Sequence, residues 1–220
     1  MIEMSFERAL NELADLISLE SEEMSRFYVA IDGISGSGKS TLAARLSEAL
    51  GAPIVCMDDF YLPLSERKGE RIKGPGWNVD YERFTREVAK NALMKRPISY
   101  GVFDCSSQSI RKTVTLPESR YLIVEGCYAM HPEIPDFYDL RIVVTADRAL
   151  CESRIRARDG DAMLKRFQNE WFPLEQTYLD AYMLRELSDV VVFSDTSLPS
   201  SESDGDFRGF EMEFPLGETT

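Results

Sequence analysis

The stretch Gly33-Ile34-Ser35-Gly36-Ser37-Gly38-Lys39-Ser40 decides how this chain is read. It fits GxxxxGK[ST], the pattern of a phosphate-binding P-loop. The glycines allow a tight turn whose backbone N–H groups point inward at phosphate oxygens. Lys39 has the reach for β- and γ-phosphates, and the Ser40 hydroxyl is a ligand type that suits Mg²⁺. Gly33, Ser35, Gly36, Ser37, Gly38, Lys39, Ser40 and Thr41 form the expected nucleotide-binding set. The implied ligands are a nucleoside triphosphate and Mg²⁺.

The flanks supply the setting that such a loop requires. Phe27-Tyr28-Val29-Ala30-Ile31 is a short apolar run that reads as a buried strand. Behind the loop, Leu42, Leu46, Ala49 and Leu50 recur at helical spacing, and Gly51 and Pro53 end the pattern. A helix that starts at the loop adds the positive end of its dipole to the anion site.

Further strands are expected at 54–57, 121–124, 140–144 and 190–193, separated by helical patterns. The first of these ends at Asp58-Asp59 and the second at Glu125-Gly126. Strands alternating with helices predict an α/β fold, a P-loop NTPase three-layer sandwich. Its sheet is mostly parallel and five-stranded, with helices on both faces. Residues 98–103 and 110–116 read as a small inserted hairpin. Phe6, Leu10, Leu13 and Ile17 mark an N-terminal helix over 4–19. Asp80 is placed to cap a helix bearing Tyr81, Phe84, Val88 and Ala92. A helix from about Arg148 to Arg158 breaks at Asp159-Gly160-Asp161. A second helical pattern then runs from Leu164 to Tyr182, with a kink expected at Pro173. Residues 1–194 are read as one domain, with a helical lid at about 154–166. Residues 195–220 are an acidic, flexible tail, with a short stripe at Phe210–Phe214.

Composition bounds the function. The chain has 220 residues and a net charge of −13; the tail, with seven acids and one base, carries −6 of it. That balance argues against nucleic acid as a partner. No apolar run approaches the length of a membrane span. The acidic N-terminus is unlike a signal peptide, so the expected compartment is the cytoplasm. Four cysteines without a CxxC pair, and one histidine, argue for reduced thiols rather than zinc. His131 is expected at the surface, with no role. Oligomeric state is not readable.

Ligands in such sheets sit beyond the C-terminal ends of the strands. Asp58, Asp59 and Glu125 therefore share a crevice with the loop. One of Asp58 and Asp59 faces the site, because consecutive side chains diverge. Glu125 has the look of a carboxylate that helps hold Mg²⁺. The plainer alternatives are an acidic turn and a simple strand-end acid. Arg154 and Arg158 lie four apart, on one helix face that suits closure over phosphate; a solvated charged helix is the alternative.

Several of these segments together resemble the uridine kinase family, in the wider group with phosphoribulokinase and bacterial pantothenate kinase. Asp58-Asp59-Phe60-Tyr61 is similar to its Asp-Ser-Phe-Tyr motif, which implies Asp58 as catalytic base and Tyr61 in the acceptor pocket. Ile123-Val124-Glu125-Gly126 resembles the segment whose Glu helps hold Mg²⁺. The resemblance implies a metal set of Ser40, Asp58 and Glu125, and catalytic roles for Asp58, Lys39 and the lid residue Arg158. Arg154 is placed with both nucleotide and substrate. The acceptor side departs from the family. Its pyrimidine-reading His is absent from Ser99–Gln108, and Trp77-Asn78-Val79-Asp80 stands where the family has a ribose-gripping Asp. Asn78, Asp80 and Asp104 are the candidates to fill that role. The implied activity is transfer of the γ-phosphoryl group of ATP·Mg to a small hydroxyl acceptor, a nucleoside such as uridine or cytidine. A pantothenate- or sugar-like acceptor, and a non-catalytic ATP-binding protein, are the alternatives. A GTPase lacks its Asn-Lys-x-Asp motif here.

Overall fold

Phe27–Asp32 forms β2, the strand that carries the loop, and it is buried along nearly its whole length. The computed structural model describes residues 1–68 and 74–194. The acidic tail with Phe210–Phe214, and residues 69–73, lie outside the described residues.

Beside β2 stand β6 (Tyr121–Glu125) and β7 (Leu140–Thr145), both parallel to it. β3 (Ile54–Cys56) extends the sheet past β6, and β8 (Val190–Phe193) extends it past β7. β1 (Ile2–Ser5) closes the β8 edge, giving the order β1-β8-β7-β2-β6-β3. Every neighbouring pair in this sheet is parallel.

The sheet therefore has six strands, where the sequence reading has five. The added strand is Ile2–Ser5, so the N-terminal helix α1 begins at Phe6 rather than residue 4 and runs to Glu20. Ile2 and Met4 alternate with Glu3 and Ser5, but four residues are too few for a period of two to stand out. Met4 is 1 % exposed, and burial of such a side chain contributes about 1.5–3 kcal/mol. Ser5 ends the strand and caps the helix, its side chain accepting from the Arg8 N–H.

Helices cover both faces. α1 and α2 (Lys39–Leu50) lay Leu13, Ile17, Leu42 and Leu46 on one face, with Val29, Ile31 and Ile142. On the other face α3 (Tyr81–Phe84), a π-helical turn and α4 (Lys90–Leu93) place Phe84, Val88 and Ala92 against Val55, Leu122 and Val124. β4 (Ser99–Asp104) and β5 (Ser109–Thr115) form the inserted antiparallel hairpin as a separate two-stranded sheet.

The lid segment is α5 (Arg148–Arg166), whose backbone departs from helical angles at Gly160, in the expected break. It passes through a π-helical turn, Phe167–Trp171, into α6 (Phe172–Ala181). Pro173 lacks an N–H for the preceding turn, and the widened π turn absorbs that loss. α7 (Leu184–Leu187) leads into β8. Ile34 of the loop packs with Cys151, Ile155, Leu164 and Phe172, so a small apolar cluster joins the lid segment to the P-loop.

Candidate active site

The loop's shape follows from its glycines. At Gly33 φ is +138°, and a Cβ there would stand 2.2 Å from the Val144 carbonyl oxygen. At Gly36 φ is +81°, with the Cys151 carbonyl oxygen 2.9 Å from a Cβ. The backbone thus threads between β7 and α5, where only glycine fits. Lys39, at the start of α2, folds back to donate to the Ile34 carbonyl at 2.9 Å. It is 7 % exposed. Burial opposes its charge, but Cys127 with Glu175, Glu125 and Asp32 outweighs burial and raises its pKa.

Ser40 and Glu125 meet across the crevice, the hydroxyl donating to Glu125 Oε2 at 3.1 Å. The Cys56 thiol donates to Glu125 Oε1 at 3.2 Å. Burial, then the nearby charges of Asp58 and Glu125, push that thiol's pKa up, so it stays a neutral donor. Thr41 lies in the first turn of α2 with its N–H on the Gly38 carbonyl and is exposed. The buried Ser37 hydroxyl has no hydrogen-bond partner among the described residues.

Asp58 and Asp59 sit in a 3-10 turn after β3, and they diverge. Asp58 is exposed and accepts from the Tyr61 hydroxyl at 2.8 Å. Its charge reaches Cys56, Cys127 and Arg158. Asp59 turns instead to Tyr100 of the hairpin, and burial raises its pKa. Asp58 is thus the one on the crevice side.

Arg154 donates from Nη1 to the carbonyls of Gly36 and Ser37, at 2.9 and 3.1 Å, and to the Ser194 hydroxyl at 2.9 Å. It braces the loop from outside, on carbonyls rather than at the anion cradle. Arg158 is exposed and pairs with Asp159; that pairing, and further out Asp58, raises its pKa.

The acceptor-side candidates separate. Asn78 is 5 % exposed, and its Oδ1 is buried with no hydrogen-bond partner among the described residues. Asp80 caps α3 by accepting from the Arg83 N–H at 3.0 Å. Asp104 accepts from Ser106 N–H and Oγ and pairs with Arg111 at 3.0 Å. The Ser106 hydrogen bonds hold its carboxyl down at about 2. Asp80 and Asp104 therefore serve the helix start and the hairpin turn, and Asn78 holds a buried acceptor with no hydrogen-bond partner among the described residues.

His131 corrects its expectation. It is 5 % exposed and stacked on Tyr81 with ring centroids 4.0 Å apart. Glu133 N–H donates to Nδ1, so Nε2 carries the proton toward the Pro75 carbonyl. Burial lowers its pKa.

Two buried acids escaped the sequence reading. Asp32 ends β2 with its carboxylate fully buried, accepting from Gly33 N–H at 2.6 Å, Met130 N–H at 2.9 Å and Tyr178 OH at 2.7 Å. Burial raises its pKa against those hydrogen bonds. Glu175 on α6 accepts from the N–H and hydroxyl of Ser35. An available signal was the buried stripe Phe172, Glu175, Tyr178, in which an acid occupies a core position.

A hydroxyl and a carboxylate facing the loop suit Mg²⁺, which takes one or two protein oxygens and completes its shell with phosphate and water. Among the described residues no group of three or more His, Cys, Asp or Glu converges as a metal cage. No helix among them is long and apolar enough to cross a membrane.

No protein-family model matches the chain. Uridine-cytidine kinase C of Dictyostelium discoideum is 31 % identical over 119 residues, 53 % of this chain and 26 % of that protein. Uridine-cytidine kinase-like 1 of Mus musculus is 27 % identical over 183 residues, 76 % of this chain and 33 % of that protein. The chain thus spans about a quarter to a third of these relatives. The structure of a possible uridine kinase from Bacillus stearothermophilus superimposes with a TM-score of 0.66 at 23 % identity, over 86 % of this chain and 100 % of that one. The chain thus shares the fold of that structure and is similar in sequence to proteins named as uridine-cytidine kinases.

Proposed function

We propose that this chain transfers the γ-phosphoryl group of ATP to the hydroxyl of a small acceptor, with a nucleoside as the acceptor class. One observation carries the reading. Asp58 is an exposed carboxylate at the C-terminal end of β3, next to the strand bearing Glu125, with Arg158 in electrostatic reach. Phosphoryl transfer needs a base at the acceptor, cations at the migrating group and a cradle for the phosphates. Each has a resident here.

In this reading Asp58 takes the proton of the acceptor hydroxyl. The oxygen attacks the γ-phosphorus, and the bond to the β-phosphate oxygen breaks to release ADP. Tyr61 holds Asp58 in place. Lys39 and Arg158 offset the charge on the migrating group, and Arg154 keeps the loop in shape. Ser40 and Glu125, with Asp58 beside them, would hold Mg²⁺, which neutralises charge on the phosphate oxygens when bound. The buried Asn78 Oδ1 supports an acceptor with a second hydroxyl to donate to it. Asp80 and Asp104 drop out of the acceptor set because their carboxylates are held by α3 and the hairpin. Residues 1–194 form the kinase domain, and the cytoplasm is the proposed setting, supported by four free cysteines.

The test is ADP release from ATP over a panel of uridine, cytidine, pantothenate and simple sugars. The expected result is stimulation by a nucleoside, lost in Asp58→Asn. Stimulation by a sugar or pantothenate alone would overturn the nucleoside assignment and keep the kinase. Slow hydrolysis that ignores every acceptor and survives Asp58→Asn would leave a nucleotide-binding protein without transfer activity.

A further inference from the structure

Glu175 is an acid at the nucleotide site that the reaction above leaves unused. It is 4 % exposed, and both oxygens rest on the P-loop. Oε2 accepts from the Ser35 N–H at 2.9 Å and Oε1 from the Ser35 hydroxyl at 2.6 Å. Lys39 indicates which end of the cradle this is. Its ammonium donates to Ile34, the residue before Ser35, and Glu175 is among the groups acting on its charge. The amides at the start of α2 serve the α- and β-phosphates, and the lysine reaches β and γ. The carboxylate therefore stands at the γ end.

Two effects follow. Glu175 occupies a backbone N–H that a terminal phosphate would otherwise take. It also places a carboxylate, itself 4 % exposed, beside the loop, where like charges repel more strongly than in water. Its helix is held in place as well. α6 carries Tyr178, whose hydroxyl donates to Asp32 at the entrance to the loop. Three hydrogen bonds from one helix thus fix both ends of the Asp32–Ser35 segment. The same helix continues, through the π turn, from the segment that bears Arg154 and Arg158.

We propose that Glu175 is a positioning residue that sets how the P-loop distinguishes a nucleoside triphosphate from a diphosphate. It keeps Ser35 from gripping the terminal phosphoryl group, so that group is held loosely and is free to leave. The inference rests on the nucleotide-binding reading above.

The experiment measures Mg²⁺-dependent binding of ADP and of the β,γ-imido analogue of ATP by calorimetry, without acceptor, together with turnover of ATP. Glu175→Gln keeps the shape and a hydrogen bond to Ser35 while removing the charge. It should bind the ATP analogue about tenfold tighter, leave ADP within about twofold, and lower kcat by a similar factor. That is the pattern of relieved ground-state repulsion. Ser35→Ala keeps the charge and removes a donor that screens it, so the ratio of the two affinities should move the opposite way, by about two- to threefold. A merely structural role would move both affinities together. Parallel changes in Glu175→Gln, or weaker binding of the ATP analogue alone, would overturn the proposal. Because no acceptor enters the binding comparison, its outcome is separable from failure of the kinase reading.

Discussion

Around Gly33–Ser40 the polar side chains are mostly engaged inside the protein: Ser35 with Glu175, Lys39 with Ile34, Ser40 with Glu125. Across the crevice, Asp58 is exposed and the buried Asn78 Oδ1 has no hydrogen-bond partner among the described residues. The first region is built on central strands of a parallel sheet and is fixed before any ligand arrives. The second is built on a 3-10 turn, a loop and an inserted hairpin. In the proposed reaction, a donor common to many enzymes suits a preset cradle, whereas the acceptor side is free to vary without disturbing the core.

The sharpest way to break that contrast is Asp58→Asn. It should cut acceptor-dependent turnover by about 10²–10⁴-fold, the usual worth of a general base. The melting temperature should hold, because the side chain is exposed. A matching loss of stability would mean the acceptor side is structural after all. Tyr178→Phe probes the donor side. It removes one hydrogen bond from buried Asp32, and stability measured by denaturant titration should fall by about 1–3 kcal/mol. Nucleotide affinity should fall with it, since Asp32 holds the first residue of the loop.

Smaller effects come from titration. The His131 pKa lies below its ordinary value in the folded protein because of burial. The unfolded chain therefore binds the proton more readily. Its contribution to stability is complete above about pH 6.5 and is lost as pH falls toward the folded value. Melting scans from pH 7.5 to 5 should show this slope, and His131→Phe should flatten it. Asp104 is held at about 2, so its contribution is present above the ordinary carboxylate range and fades as pH drops toward 2. Asp104→Asn should remove that change and loosen only the hairpin, read by amide exchange at residues 104–107.

The sequence made the donor side legible for a physical reason. A P-loop must use glycine, lysine and a hydroxyl in fixed order, so its chemistry and its spelling coincide. The strand ends at Asp58 and Glu125 were legible because apolar runs stop abruptly there. Glu175 and Asp32 were not, because each sits at a position that periodicity assigns to the core, and only tertiary packing brings Glu175 to Ser35 across the fold. His131 looked like a loop residue until Tyr81, Tyr178 and Tyr182 closed around it. The strand Ile2–Ser5 was too short to carry a period. Asp80 was legible as a cap, and its use there is what removes it from the acceptor set.

The slot between β1 and β7 has a consequence for how the chain is made. β8 fills it, pairing Ile2 with Val190 on one side and Ile142 with Val190 on the other. At about 5–20 residues per second, Val190 leaves the ribosome roughly 10–40 s after Ile2. Through that interval β1 has no partner strand and the apolar face of α1 lacks part of its cover, and β7, once made, is a bare edge until β8 follows. β8 thus enters as a keystone, and nascent chains stalled before β8 are the ones expected to need a chaperone.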